Sequence, residues 1–240
     1  MRLSLILGGL MLLTGCANTS AVLDELEQVA GQVLAEGGGE LSISEISRGL
    51  KEALTIGSQQ VVQQLGRTDG FNADPIAHIP LPTALDRARN MAAKVGLQES
   101  FDSLEVRLNR AAELAAPKAQ ALFIGAIREM TLSDARGILN GPDDAATQYF
   151  QSAMGPRLAE AMRPIVDDSL GQVGAVRAFN ELLAQYRQIP FAPAVDADLT
   201  GHVVDLGMQG IFHYIAQEEI AIREDPLKRT TALLRRVFGG

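Results

Sequence analysis

Residues 199–224 read LTGHVVDLGMQGIFHYIAQEEIAIRE. Val204, Met208, Ile211, Ile215 and Ile222 recur at helical intervals, the spacing that puts apolar side chains on one face of an α-helix. At 1.5 Å per residue such a helix would be about 39 Å long, enough to span a small domain. Glu218 falls in the gap of that stripe where another apolar residue would belong. A carboxylate facing a core must find a partner or be neutral, and Arg110 and Arg223 are the candidate partners. A buried structural ion pair and a ligand-binding or proton-handling carboxylate both satisfy this pattern.

The same periodicity governs the rest of the chain from Leu41 onward. Ser42 and Glu45 have capping-box spacing ahead of Ile46, Leu50, Leu54, Val61 and Leu65. Gly66 and the turn Thr68-Asp69-Gly70 end that helix, and Ile79-Pro80-Leu81-Pro82 must be extended. Leu85 to Val95 is a short helix closed by Gly96. Phe101, Leu104, Leu108, Ala111 and Ala115 mark the next stripe, which Pro117 either kinks or divides. Thr131 and Asp134 open a short helix that Asn140-Gly141 terminates, and Pro142 with Asp143 or Asp144 sets the next start. Pro156 opens a long stretch to about Gln188, bent at Pro164. After the loop 190–198 and the helix quoted above, Asp225 caps a last helix with Pro226 in its first turn. No alternating strand pattern and no internal repeat is present. The expected fold is all-α: a compact single-domain array of about ten helices, several short, over residues 41–240.

Composition narrows the function classes. The chain has 240 residues, 47% hydrophobic and 5% aromatic, with no Trp and a net charge of −8. That much apolar residue at modest charge buries a core and argues against disorder. The acidic balance argues against nucleic acid as a partner, because phosphate binding needs clustered Lys and Arg. The basic group Lys228, Arg229, Arg235 and Arg236 is too small for that task and suits a helix C-terminus. One cysteine excludes an intramolecular disulfide framework and a multi-cysteine metal cluster.

That cysteine has a telling position. Met1-Arg2 is a short cationic start, and residues 3–13 form an apolar run too short to span a bilayer but suited to a signal-peptide core. Leu13-Thr14-Gly15-Cys16 follows at once and resembles the lipobox of bacterial lipoprotein precursors. The resemblance implies cleavage after residue 15, acylation of Cys16 and a membrane anchor of two or three chains, which is stable where one is not. In that pattern Ala17 after the cysteine favours the outer membrane, with the domain facing the periplasm. Residues 1–15 are thus read as a signal peptide and 16–40 as a lipid-anchored tether. Within the tether Val22, Leu26, Val29 and Val33 give one amphipathic helix, and Gly37-Gly38-Gly39 ends it. That helix either docks on the main body or forms a dimer seam.

A succession of phrases through the domain is also familiar: Leu50-Lys51-Glu52-Ala53-Leu54, Asp69-Gly70-Phe71, Ile79-Pro80-Leu81-Pro82, Asn109-Arg110-Ala111-Ala112-Glu113, Ala115-Ala116-Pro117-Lys118, Ile138-Leu139-Asn140-Gly141, Ala145 to Phe150, Arg229-Thr230-Thr231 and Val237-Phe238-Gly239. Taken in order from about residue 46 to 239, they resemble a domain-of-unknown-function family of exported helical proteins of Gram-negative bacteria. The resemblance carries no assigned activity and no catalytic residues. Where that family has two carboxylates and a basic helix exit, this chain keeps Glu218, Glu219 and Arg223, with His213-Tyr214 just before them.

Chemistry leaves few linear traces. There is no G-x-S-x-G elbow, no H-E-x-x-H and no phosphate-cradling glycine loop ahead of a Lys-Ser pair. His202 and His213 lie about 16 Å apart along one helix and cannot share a metal. His202 with Asp205 could supply two ligands, but a surface or capping histidine is the simpler reading. His78 sits at a turn. Asp143-Asp144 suits a helix start, and Asp167-Asp168 a solvated face. Arg110 and Glu113 are either an intrahelical pair or part of a polar pocket. Asp144, Thr147 and Tyr149 stand where they could line a cleft beside the 140–144 corner. The candidate ligand or polar-pocket residues are therefore Arg110, Glu113, Asp144, Thr147, Tyr149, Glu218 and Arg223, with Cys16 for lipidation and neither cofactor nor metal implied. The reading is an envelope lipoprotein whose domain binds a small ligand or a protein partner. A hydrolase that brings carboxylates from separate helices to cell-wall material, and a purely structural interaction protein, are the alternatives.

Overall fold

In the computed structural model residues 40–239 are described; the segments read as a signal peptide and a tether helix, with Cys16, lie outside them. From Ser42 onward the chain forms one unit. It contains, among the described residues, eight α-helices and no strand. They are α1 (Ile43–Leu65), α2 (Thr83–Ala92), α3 (Gln98–Glu129), α4 (Ala135–Leu139), α5 (Ala145–Gln172), α6 (Ala175–Tyr186), α7 (Leu199–Glu224) and α8 (Ala232–Phe238). Two single 3₁₀ turns, Ala93–Val95 and Pro226–Lys228, complete them. The all-α expectation holds. The count of about ten was slightly high, and the long helices are longer than the prolines suggested.

Local chemistry sets most ends. Ser42 accepts from the Glu45 amide at 3.2 Å while Glu45 accepts from the Ser42 amide at 3.0 Å, a complete capping box. Asp134 and Asp198 cap α4 and α7 through the amides of Gly137 and Gly201. Pro156 does not open a helix as expected. Pro117 lies inside α3, and both Pro156 and Pro164 lie inside α5, so neither helix is divided there. The break falls at Gly174, whose φ of +71° is open to glycine at no steric cost. Asp225 caps only the 3₁₀ turn, through Leu227, and Thr231 caps the last helix, through Leu234.

The four long helices close a ring: α1 packs on α3, α3 on α5, α5 on α7 and α7 on α1. Their facing sides bury Leu50, Leu54, Leu104, Leu108, Ile127, Val166, Val203 and Ile211. Phe123, Phe150 and Phe212, one each from α3, α5 and α7, meet with ring centroids 5.4–6.3 Å apart. Such tilted and edge-on pairs add to the area they bury. The short helices cover the outside, α6 on α3 and α5, α8 on α1, and α4 at the junction of α1 and α5.

Candidate functional site

The connection from α1 to α2 is a run of turns, and the amides those turns leave unpaired need partners from elsewhere. The α3 helix supplies them from one edge, at steps of four residues. Glu113 accepts from the amides of Phe71 and Asn72 at 3.2 and 3.1 Å. Asn109, fully buried, accepts from the Ile79 amide and donates to its carbonyl, both at 2.8 Å. Glu105 accepts from the Leu81 amide and meets Nε2 of His78 at 3.2 Å. Arg110 fastens the turn from outside, with Nη1 on Glu113 at 2.7 Å and Nη2 on Asp69 at 2.8 Å. The Asn72 amide group and Arg110 hold the Asp69 carboxyl below its usual range.

Beside this stapled turn lies a cleft of about 710 Å³. Its floor is the outer face of α3: Val106, Arg107, Arg110, Glu113, Leu114, Pro117 and Lys118. Gly66 and Thr68 form one wall and Val173, from the α5–α6 turn, the other. Gly66 must be small here. A methyl group on it would come within 2.6 Å of the Pro117 ring and 2.7 Å of the Val62 carbonyl oxygen. The volume lies in the range of small-molecule sites. Three cations and one carboxylate line it, and that carboxylate is 6% exposed with both oxygens already engaged. Lys118 reaches Asp168 at 3.1 Å. Among the described residues Arg107 forms no ion pair; its side chain's one hydrogen bond there runs from Nη1 to the Val173 carbonyl, and Nε is buried without a partner.

The second polar cluster surrounds the corner between α4 and α5, and here the buried carboxylate is Glu219, 1% exposed. It accepts from the Ala146 amide at 3.0 Å, the Thr147 amide at 2.7 Å and the Thr147 hydroxyl at 2.6 Å, capping the first turn of α5. Arg223, one turn further along α7, donates to the same carboxylate from Nε and Nη2 at 3.1 and 2.8 Å. Its Nη1 and Nη2 also reach the carbonyls of Leu139 and Ile138, the end of α4. Its guanidinium lies 5.4 Å from the centre of the Phe238 ring. One i,i+4 pair on α7 thus puts an anion at a helix start and a cation at a helix end.

The seven candidates named from sequence are therefore divided. Arg110 and Glu113 are both an intrahelical pair and part of a cleft, so the two readings of them coincide. Thr147 and Arg223 belong to the corner cluster. Tyr149 stands near it, its hydroxyl donating to the Thr131 carbonyl at 2.5 Å. Asp144 occupies the N-cap position of α5 but leaves the capping to Glu219 and accepts instead from Gln148. None of these four lines the large cleft. Glu218 is corrected: it is not the core-facing carboxylate, and neither Arg110 nor Arg223 pairs with it. Its side chain is 23% exposed and meets Lys228 at 3.4 Å.

Sequence reasoning noted Glu219 only as Glu218's neighbour and left it, with Arg107 and Lys118, out of the candidate set. Arg107, Arg110, Leu114 and Lys118 follow one another at three- and four-residue steps along the flank of the apolar stripe of α3, about 95° from its centre, a signal that charge patterning could have found. The histidines are dispersed: His78 bridges Glu105 and the Asn72 carbonyl, and His202 reaches the Pro80 carbonyl at 2.7 Å. Among the described residues, no three His, Cys, Asp or Glu side chains are placed to hold one metal ion. None of the described helices is long and apolar enough to cross a membrane.

An all-helical domain with a stapled turn and an open cleft on its third helix is the class these observations define. The chain belongs to the family described as "Protein of unknown function (DUF4197)", whose model matches residues 40–239. No curated protein and no solved structure matches it.

Proposed function

We propose that this protein is a lipoprotein of the Gram-negative envelope, anchored through acyl chains on Cys16, whose helical domain binds a small ligand in the α3 cleft. The lipobox-like sequence at 13–16 motivates the anchor. The observation that carries the binding reading is the cleft itself, about 710 Å³ with apolar and cationic lining side by side. Hydrolysis by paired carboxylates is less well supported. Among the described residues the buried carboxylates, Glu113 and Glu219, are each committed to holding backbone amides and an arginine within the fold, and Glu219 does not line the cleft.

Native mass spectrometry tests the reading. The full chain carrying Cys16→Ser, purified gently from cells that make it, should retain extra mass on the folded species. The same chain with Val106→Trp added, which fills the cleft from its floor, should lose that mass. A chain that carries no added mass from cells, and takes up none from its own cell extract, would sink the ligand reading.

A further inference from the structure

Resting on that reading, we infer that the cleft takes an anionic amphiphile: a carboxylate or phosphate head at Arg107, with an apolar body laid along Leu114 and Pro117. Arg107 is the residue that asks for an anion. A guanidinium stays charged at every accessible pH and has five N–H donors in a rigid fork. Here, among the described residues, Nη1 alone has a partner, a neutral carbonyl, and the buried Nε–H has none. Every other lining charge is matched within the protein: Arg110 by Glu113 and Asp69, Lys118 by Asp168. Nε is shielded from the cleft, so the donor a head group meets is the accessible Nη2, and a charged acceptor is the strongest partner it can take.

The direction of approach is also fixed by charge. Arg107 borders a second, smaller cleft whose lining includes Glu99 and Glu181, neither of which forms an ion pair with it. A head arriving from that side would meet two carboxylates. On the Gly66 side the sole carboxylate is Glu113, already neutralised by Arg110. From Arg107 the cleft floor continues toward Pro117 for about 15 Å at the helical rise, a length suited to an extended chain rather than to a compact ion. Val106, 41% exposed, Leu114 and Pro117 along it offer apolar contact, and the ring of Pro117 lies where only a glycine at 66 leaves room for it.

Titration calorimetry on the full chain carrying Cys16→Ser tests this with four probes: dodecanoate, monododecyl phosphate, inorganic phosphate and the uncharged dodecyl maltoside. Both charged chains should bind, and inorganic phosphate and the maltoside should each be weaker by roughly tenfold or more, the worth of one charged hydrogen bond or a comparable apolar contact. Added sodium chloride should weaken the charged chains. Arg107→Gln should cost them about tenfold, with Arg107→Lys retaining part of the loss. Because Arg107 also holds Val173, circular dichroism must show Arg107→Gln folded; if it unfolds, the headgroup series and the salt dependence on the unsubstituted residue decide. Maltoside binding as tightly as dodecanoate, with both abolished by Val106→Trp, overturns the anion while leaving the cleft as the seat. Inorganic phosphate equal to monododecyl phosphate overturns the amphiphile. Charged-chain binding untouched by Val106→Trp overturns the seat itself, and with it the proposed function.

Discussion

Tyr214 donates its phenolic hydrogen to Asp74 at 2.7 Å, joining α7 to the irregular connection between α1 and α2. Burial, then the hydrogen bond and charge of Asp74, push this phenol up to about 12. Burial alone would push the Asp74 carboxyl up, but the Ala77 amide, the Tyr214 hydroxyl and the Ile76 amide together hold it below its usual range. A phenol raised in the folded state favours the neutral form. Its contribution to stability is therefore full below about pH 10 and is lost as pH rises through the folded value. Absorbance titration should show a late phenolate step near pH 12 that disappears after Tyr214→Phe. A titration with no step beyond one centred near pH 10, the ordinary tyrosine value, would contradict the Tyr214–Asp74 contact.

Helix α7 works on its neighbours through Glu219 and Arg223, which fasten the end of α4 and the start of α5 at once. Removing one partner of a buried pair leaves the other charge uncompensated. Glu219→Ala should therefore cost about 3–5 kcal/mol in denaturant unfolding, and speed hydrogen exchange at the Ala146 and Thr147 amides. Glu218→Ala removes only a part-exposed pair with Lys228 and should cost under about 1 kcal/mol. Equal losses for the two would show that the buried position had been misassigned. The sequence could not separate these neighbours. At 100° per residue, Glu218 and Glu219 lie about 50° to either side of the stripe's centre. What breaks the tie is the amino end of α5 beside Glu219, a partner more than seventy residues away in the chain. Pro156 misled for a related reason. A proline inside a helix loses one hydrogen bond, but a long helix held on several sides can bear that loss, whereas the positive φ at Gly174 turns the chain wherever it falls.

At the scale of the whole molecule, the acidic chain has no general attraction for anionic lipid, so membrane association would depend on the acylated cysteine. Cys16→Ser should move the protein from the membrane fraction to the soluble one; an unchanged distribution would end the lipoprotein proposal. The all-α class and most helix ends were determined by the sequence alone, because caps, left-handed glycines and the 3.6-residue stripe act within a few neighbouring residues. The Ser42–Glu45 box, the Asp134 start and the stop at Gly96 are of that kind. The cleft and the corner clamp were decided only by tertiary structure. Arg107 becomes a candidate because Val173 closes over it without offering a charge, and Glu219 becomes a cap because α5 begins beside it. A charge's neighbours come from the packing of distant helices, and no local pattern encodes which donor or acceptor will be left without a partner.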